Sequence, residues 1–166
     1  MSIAICPGSF DPITLGHLNI IRRSAKIFDK VIVCIMHNSM KTTPMFSISE
    51  REDMVRRAVA KYGNVEVATP DGLLADYVAQ FDRAVVVKGL RAASDFDYEF
   101  QLDLINKRLN PKLETMFLTS SEKYTFISSS VVRELAKYEA DLKGLVPDEI
   151  LEDIENKAKQ WRHKNG

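Results

Sequence analysis

The chain has 166 residues, with 23 basic and 23 acidic side chains and a formal net charge of zero. That length suits one domain, residues 1–166, with a core large enough to stand without staples. The balanced charge, with no polybasic block or basic stripe, excludes nucleic acid or a membrane surface as the main partner. No apolar run approaches the ~20 residues that span a bilayer, and the first residues read as a strand rather than a charged leader, so the expectation is a cytoplasmic globule. Cys6 and Cys34 fall in apolar runs. They read as small buried side chains of a reducing compartment, with a disulfide between neighbouring strands as the alternative.

In chain order, Ser2–Cys6 is a short apolar run ended by Pro7-Gly8, a buried strand leading into a turn. From Leu15 the period changes: Leu18, Ile21, Ala25 and Phe28 share one face of a helix over about Leu15–Phe28. Gly8 is expected to let the turn leave the strand tightly, and Gly16 to leave room for a ligand against the backbone. His17 projects from the first helical turn, where unpaired N–H groups and the dipole favour an anion. The plainer alternative is a turn capped by Thr14 with a surface histidine.

Lys30–Met36 is an almost unbroken apolar strand, as suits a parallel strand covered on both faces. His37–Phe46 is a polar loop with Lys41 near its middle, and Ser47-x-x-Glu50 is a capping box opening a helix to about Tyr62. Asn64–Ala68 reads as a third strand, Leu73–Phe81 as a brief helix and Arg83–Val87 as a fourth strand, followed directly by Lys88-Gly89-Leu90-Arg91. A helix over about Ser94–Leu109 carries Asp95, Asp97 and Glu99 in its first turns, as the dipole prefers. Glu114–Leu118 is a fifth strand, Ser128–Tyr138 a helix, and Pro147 opens the last helix, with Leu151, Ile154, Ala158 and Trp161 on its expected buried face. This alternation predicts an α/β fold: a Rossmann-like, doubly wound, five-stranded parallel sheet with helices on both faces and C-terminal helices.

The polar groups gather at the carboxyl ends of these strands. Ser9 and His17 follow the first, Lys41 the second, Leu73-Leu74 the third, Lys88 and Arg91 the fourth, and Tyr124–Ser130 the fifth. In a parallel sheet all these ends lie on one edge, where ligands bind. Lys41, Lys88, Arg91 and a protonated His17 would form a positive cluster in a neutral protein, and phosphate is its natural partner. Ser128, Ser129 and Ser130 at a helix start exceed what a single cap needs and suit a polyphosphate cradle. Arg133 either extends that cradle or pairs with Glu134.

Absent motifs narrow the class. No Gly-x-x-x-x-Gly-Lys-Ser/Thr loop, no Gly-x-Gly-x-x-Gly after the first strand, no Gly-x-Ser-x-Gly elbow and no metal-ligand spacing appear. Ser9 has no base at a suitable spacing and reads as a binding hydroxyl rather than a nucleophile.

Thr14-Leu15-Gly16-His17 resembles the T/H-x-G-H signature of the nucleotidyltransferase superfamily. A fuller set resembles the phosphopantetheine adenylyltransferase family: Pro7-Gly8-Ser9-Phe10-Asp11-Pro12, Lys41, Pro44-x-Phe46, Gly89-Leu90-Arg91-Ala92, Asp95-Phe96-x-Tyr98-Glu99 and Phe126-Ile127-Ser128-Ser129-Ser130. The resemblance implies adenylyl transfer from ATP to 4′-phosphopantetheine, giving dephospho-coenzyme A and pyrophosphate. It further implies Mg²⁺ carried on the ATP phosphates without dedicated protein ligands, a homohexamer, and coenzyme A as a candidate feedback inhibitor. By match of motif, Ser9, Phe10, His17, Gly89, Leu90, Arg91, Glu99, Tyr124, Thr125, Phe126, Ile127, Ser128, Ser129 and Ser130 would hold ATP. Ser9, Lys41, Leu74 and Lys88 would hold the acceptor, and His17, Lys41 and Arg91 would act on the reacting phosphates. Leu73 and Tyr98 border these sites.

The chain departs from the family pattern twice. Lys88 stands where arginine is commoner and keeps the charge without the fork, and Thr42-Thr43 follows Lys41 where a second lysine is usual. Other readings are a nucleotidyltransferase acting on nicotinamide mononucleotide or glycerol phosphate, an ATP sensor without turnover, and a flavodoxin-like interaction domain.

Overall fold

The computed structural model describes residues 1–37 and 44–165, the side chains of 163–165 excepted. Ile3–Cys6 and Val31–Ile35 are buried without a break, and only strands covered on both faces can carry such runs. They belong to β1 (Ile3–Gly8) and β2 (Lys30–Ile35), joined by α1 (Leu15–Ile27). There follow α2 (Ile48–Val59), β3 (Val65–Ala68), α3 (Leu74–Val78), β4 (Ala84–Leu90), α4 (Ala93–Leu109) and β5 (Glu114–Thr119). After a single 3₁₀ turn (Glu122–Tyr124) come α5 (Ser129–Lys137) and α6 (Leu151–Asn165), the last led in by a second 3₁₀ turn after Pro147. The five strands are all parallel, in the order β3-β2-β1-β4-β5. The expected doubly wound sheet is what the chain forms.

The strand order places the switch point between β1 and β4. From β1 the chain steps outward through β2 to β3, then crosses back to β4 on the other side of β1. Here β1 and β4 pair only over Ile3↔Ala84, Ala4↔Val85 and Ile5↔Val86, although β1 runs on to Gly8 and β4 to Leu90. Beyond those pairs the two carboxyl ends part, which opens the crevice expected at a switch point.

Two apolar layers cover the sheet. The larger packs Leu18, Ile21, Met54, Val55, Val132 and Ile154 of the helices against alternate strand residues such as Ala4, Val31 and Val33. The smaller, on the other face, joins Ile5, Ile32 and Val86 to Ala75 and Val78 of α3. Cys6 and Cys34 are free and buried, one in each layer.

Some expectations need correction. β4 continues through Leu90, pairing with β5 as Lys88↔Phe117, Gly89↔Leu118 and Leu90↔Thr119, so Lys88 and Gly89 lie within the strand rather than after it. Gly89 is needed there for packing: a Cβ would stand 2.8 Å from Ile20 Cγ1 of α1. Gly8 is likewise a matter of space. The left-handed residue of the first turn is Phe10 (φ 44°), and Gly8 leaves room for its ring, which would lie 3.0 Å from a Cβ. Trp161 is 42% exposed instead of buried, with the Lys137 ammonium 4.7 Å from its ring centre. α4 is inverted relative to an ordinary surface helix: its one buried residue is Asp103, while Phe96, Phe100, Leu104, Ile105 and Leu109 are exposed.

Candidate active site

A cavity of about 570 Å³ fills the crevice between the ends of β1 and β4. Ser9, Phe10, His17, Lys88, Gly89, Arg91, Glu99, Ile127, Ser128, Ser129 and Ser130 all line it, residues contributed by β1, α1, β4, α4 and α5. The first turns of α1 and α5 both open on it, so the positive ends of two helix dipoles face one space. A polyanion suits such a space.

On the β1 side a reciprocal cap fixes the histidine. His17 N donates to Thr14 Oγ1 (3.3 Å), and Thr14 N donates to His17 Nδ1 (3.0 Å). Thr14 Oγ1 lies 3.0 Å from the same Nδ1, and an Nδ1 that accepts the Thr14 N–H suits the tautomer with its proton on Nε2. The capping role offered as the plainer reading is also met, and it is the means by which the ring is aimed. Phe10 packs edge-on to the same ring, centroids 5.1 Å apart.

On the β4 side each cation leans on a carboxylate of α4. Lys88 makes a short ion pair with Glu99, both less than a quarter exposed. Arg91 forks onto Asp95 through Nε (3.2 Å) and Nη2 (3.2 Å), while Nη1 donates to the Ile127 carbonyl (3.3 Å). Burial alone would raise the Asp95 carboxyl, but the hydrogen bonds and charge of Arg91 outweigh it and hold the group below its usual value.

Each serine of α5 has a distinct bond. Ser128 caps the helix through Val131 N (3.2 Å), Ser129 Oγ donates to the Pro12 carbonyl (2.8 Å), and Ser130 Oγ accepts from Arg133 Nη2 (3.3 Å). Arg133 turns toward Asp11 (Nη1 to the carbonyl, 2.6 Å), while Glu134 pairs with Lys137 instead.

Tyr98 of α4 also lines the cavity, whereas the other predicted positions among the described residues do not. Leu74 opens α3 and packs on the smaller apolar layer, and Leu73 beside it is 54% exposed. Leu90 ends β4, Tyr124 packs on the larger layer, Thr125 Oγ1 bonds back to the Glu122 carbonyl (2.6 Å), and Phe126 is 66% exposed. Lys41 lies outside the described residues. Sequence reasoning read Asp95 as a dipole partner and as part of a family motif, although its i,i+4 spacing from Arg91 was also the signal for a fork. It missed Asp11 and Arg51 as a buried pair, because their contact spans forty residues and follows from no local pattern. Among the described residues no group of three or more His, Cys, Asp or Glu could hold a metal ion, and no helix is long and apolar enough to cross a membrane.

The chain is similar to several known proteins. Residues 5–135 match the model of the cytidylyltransferase-like family. A phosphopantetheine adenylyltransferase of Clostridium tetani is 51% identical over 158 residues, 95% of this chain and 98% of the relative. One of Dictyoglomus turgidum is 51% identical over 94% of this chain and 97% of its own length, and one of Clostridium perfringens 46% identical over 98% of both. Among solved structures, a candidate nicotinate-nucleotide adenylyltransferase from Vibrio parahaemolyticus superposes with a TM-score of 0.68 over 95% of this chain and 96% of its own. At 18% identity that likeness carries the fold alone.

Proposed function

The chain belongs to the phosphopantetheine adenylyltransferase family, within the cytidylyltransferase-like proteins, and from that membership we propose how its cavity carries the reaction. The activity is transfer of the adenylyl group of ATP to 4′-phosphopantetheine, giving dephospho-coenzyme A and pyrophosphate, a step in coenzyme A synthesis. The acceptor is a phosphate monoester with a second pKa near 6, so it is largely dianionic at neutral pH and needs no general base. It attacks the α-phosphorus in line, and one P–O bond forms as the bond to pyrophosphate breaks. The protein's part is positioning and charge stabilisation.

The observation that supports this reading is the Thr14 N–H on His17 Nδ1, in a residue that lines the cavity, which suits Nε2 as the donating nitrogen. In this reading Nε2–H donates to a non-bridging oxygen of the α-phosphate, and Lys41 supports the same oxygens. Arg91 and the first turn of α5, Ser128 to Ser130, hold the β and γ phosphates. Gly89, Leu90 and residues 124–127 flank the nucleoside. Ser9 and Lys88 meet the acceptor phosphate, Leu74 its pantetheine arm, and Glu99 holds Lys88 until a phosphate displaces it. Magnesium enters as the MgATP complex, on phosphate oxygens.

We further propose that copies assemble through α4 and β5 into a homohexamer in the cytoplasm. The apolar residues α4 leaves exposed, the neighbouring Met116 of β5 and the buried Asp103, whose Oδ1 has no hydrogen-bond partner, support that assembly. A chain that sediments as a monomer at micromolar concentration would overturn it. Coenzyme A, sharing the product's parts, is expected to compete at the same cavity. The activity test mixes protein, MgATP and 4′-phosphopantetheine and looks for dephospho-coenzyme A by mass spectrometry, with nicotinamide mononucleotide as acceptor in parallel. Product in the first tube alone supports the reading. Product only in the second overturns the acceptor.

A further inference from the structure

The turn between β1 and α1 is tied from outside by buried charge. Asp11 is 1% exposed, and its carboxylate accepts Met45 N on Oδ2 (3.1 Å) and Phe46 N on Oδ1 (2.9 Å). Arg51, 5% exposed in α2, lies beside that carboxylate (3.9 Å) and spans the gap with its fork. Nε donates to the Phe46 carbonyl (2.8 Å) and Nη1 to the Ser9 carbonyl (3.1 Å). Arg133 approaches from α5, its Nη1 donating to the Asp11 carbonyl (2.6 Å) and lying 3.5 Å from Asp11 Oδ2.

Between the two held carbonyls sits Phe10 with φ 44°, a left-handed backbone that a bulky residue adopts only when its surroundings over-determine it. Its ring packs on His17. One charged cluster therefore holds the peptides on both sides of Phe10, the start of α5 through Ser130, and the backbone of Met45–Phe46.

We propose that Asp11, Arg51 and Arg133 are positioning residues for adenylyl transfer, holding the left-handed Phe10 turn so that His17 stays aimed at the reacting phosphate. The proposal rests on the reading of the cavity given above. None of the three needs to touch substrate. A fork is required at Arg51 because its two acceptor carbonyls belong to different segments, and a lysine supplies the charge for Asp11 without spanning both. Misplacement by about 1 Å at a reacting centre is enough to cost turnover strongly.

The test is Arg51→Lys, with the wild-type reaction measured first. The expected result is a folded protein whose kcat falls about ten- to hundredfold, while KM for ATP and for the acceptor move less than about threefold. Nitrogen-15 spectra of the ring should show the single neutral tautomer of His17 in the wild type and averaging in the variant. A cluster that serves only the fold lowers the melting temperature and leaves kcat per folded molecule and the His17 signal unchanged, which would overturn the proposal. Should Arg51→Lys not fold, Arg133→Lys, on a side chain 21% exposed, carries the same prediction and the same refutation. A wild-type protein with no adenylyl transfer to any acceptor would instead refute the reading of the cavity.

Discussion

The two walls of the cavity are built on opposite plans. On the β1 wall the carbonyls of Ser9, Asp11 and Pro12 each accept a side-chain bond, and His17 is held by a neutral backbone donor. On the β4 wall Lys88 and Arg91 each rest on a carboxylate of α4, and Arg91 remains 38% exposed. In the proposed mechanism the first wall fixes geometry where charge develops, because donors already in place need no reorganisation then. The second keeps cations close by through partners that can be exchanged. A partly exposed ion pair is worth only about 0–1 kcal/mol, so a phosphate oxygen can replace the carboxylate as substrate enters and yield it back as pyrophosphate leaves.

The largest effect expected from this contrast is at the fixed wall. His17→Ala should lower kcat by about 10²–10³, the usual loss for one preorganised donor, while ATP affinity moves less than about threefold. Turnover against MgATP titration measures both, and a variant that loses ATP binding but keeps kcat would reverse the roles of the two walls. Next comes the seam between them. Gly89→Ala drives a Cβ against Ile20 Cγ1 and should cost about 1–3 kcal/mol by overpacking, or roughly 2–12 °C in Tm for a chain of this size. Adding Ile20→Ala should recover part of that loss. Strict additivity of the pair would mean that β4 does not lean on α1 there.

How far this contrast was legible beforehand follows from the range of the interactions. The sheet was readable because Lys30–Met36 and its like are runs that only a covered parallel strand carries, and Ser47-x-x-Glu50 is a reciprocal local cap that forms as expected. Ser9, His17, Lys88 and Arg91 were readable because topology alone sends strand ends to one edge. What was not readable was of two kinds. The aim of His17 was opaque because it depends on a partner, here Thr14, whose bond to Nδ1 cannot be seen in residue types. The α4 face stayed open because Leu102, Leu104, Ile105 and Leu109 suit a buried helix and a subunit contact equally until the helix is seen to bury Asp103 and leave Leu104, Ile105 and Leu109 exposed.

A smaller effect belongs to the exchangeable wall. Asp95→Asn keeps the shape beside Arg91 but removes the charge of the fork, and should raise KM for ATP about three- to tenfold with kcat nearly unchanged. A matching drop in kcat would show that the β4 wall also needs fixed geometry, and the contrast between the walls would fail.

The smallest effect tests whether the floor under the fixed wall is closed. Cys6 precedes Pro7 in β1, and Cys34 lies opposite Pro7 in β2. Burial pushes both thiols up to about 12; a hydrogen bond with Ser24 pulls Cys6 slightly the other way, and the neighbouring Cys6 adds to the rise at Cys34. In the unfolded chain both ionise near 8.5. Between about pH 9 and 12 the unfolded chain therefore binds fewer protons than the folded one, and stability that is whole below that window falls as pH rises through it, by up to about 1.4 kcal/mol per pH unit for each thiol. Urea midpoints at pH 8 and pH 10 measure the fall, and Cys6→Ala should lessen it. At pH 8 an aromatic disulfide reagent should label neither thiol faster than the protein unfolds, with or without MgATP. Rapid labelling of Cys6 in the folded protein would mean that the β1 wall opens to solvent as freely as the β4 wall, and the fixed geometry assigned to His17 would have no rigid base.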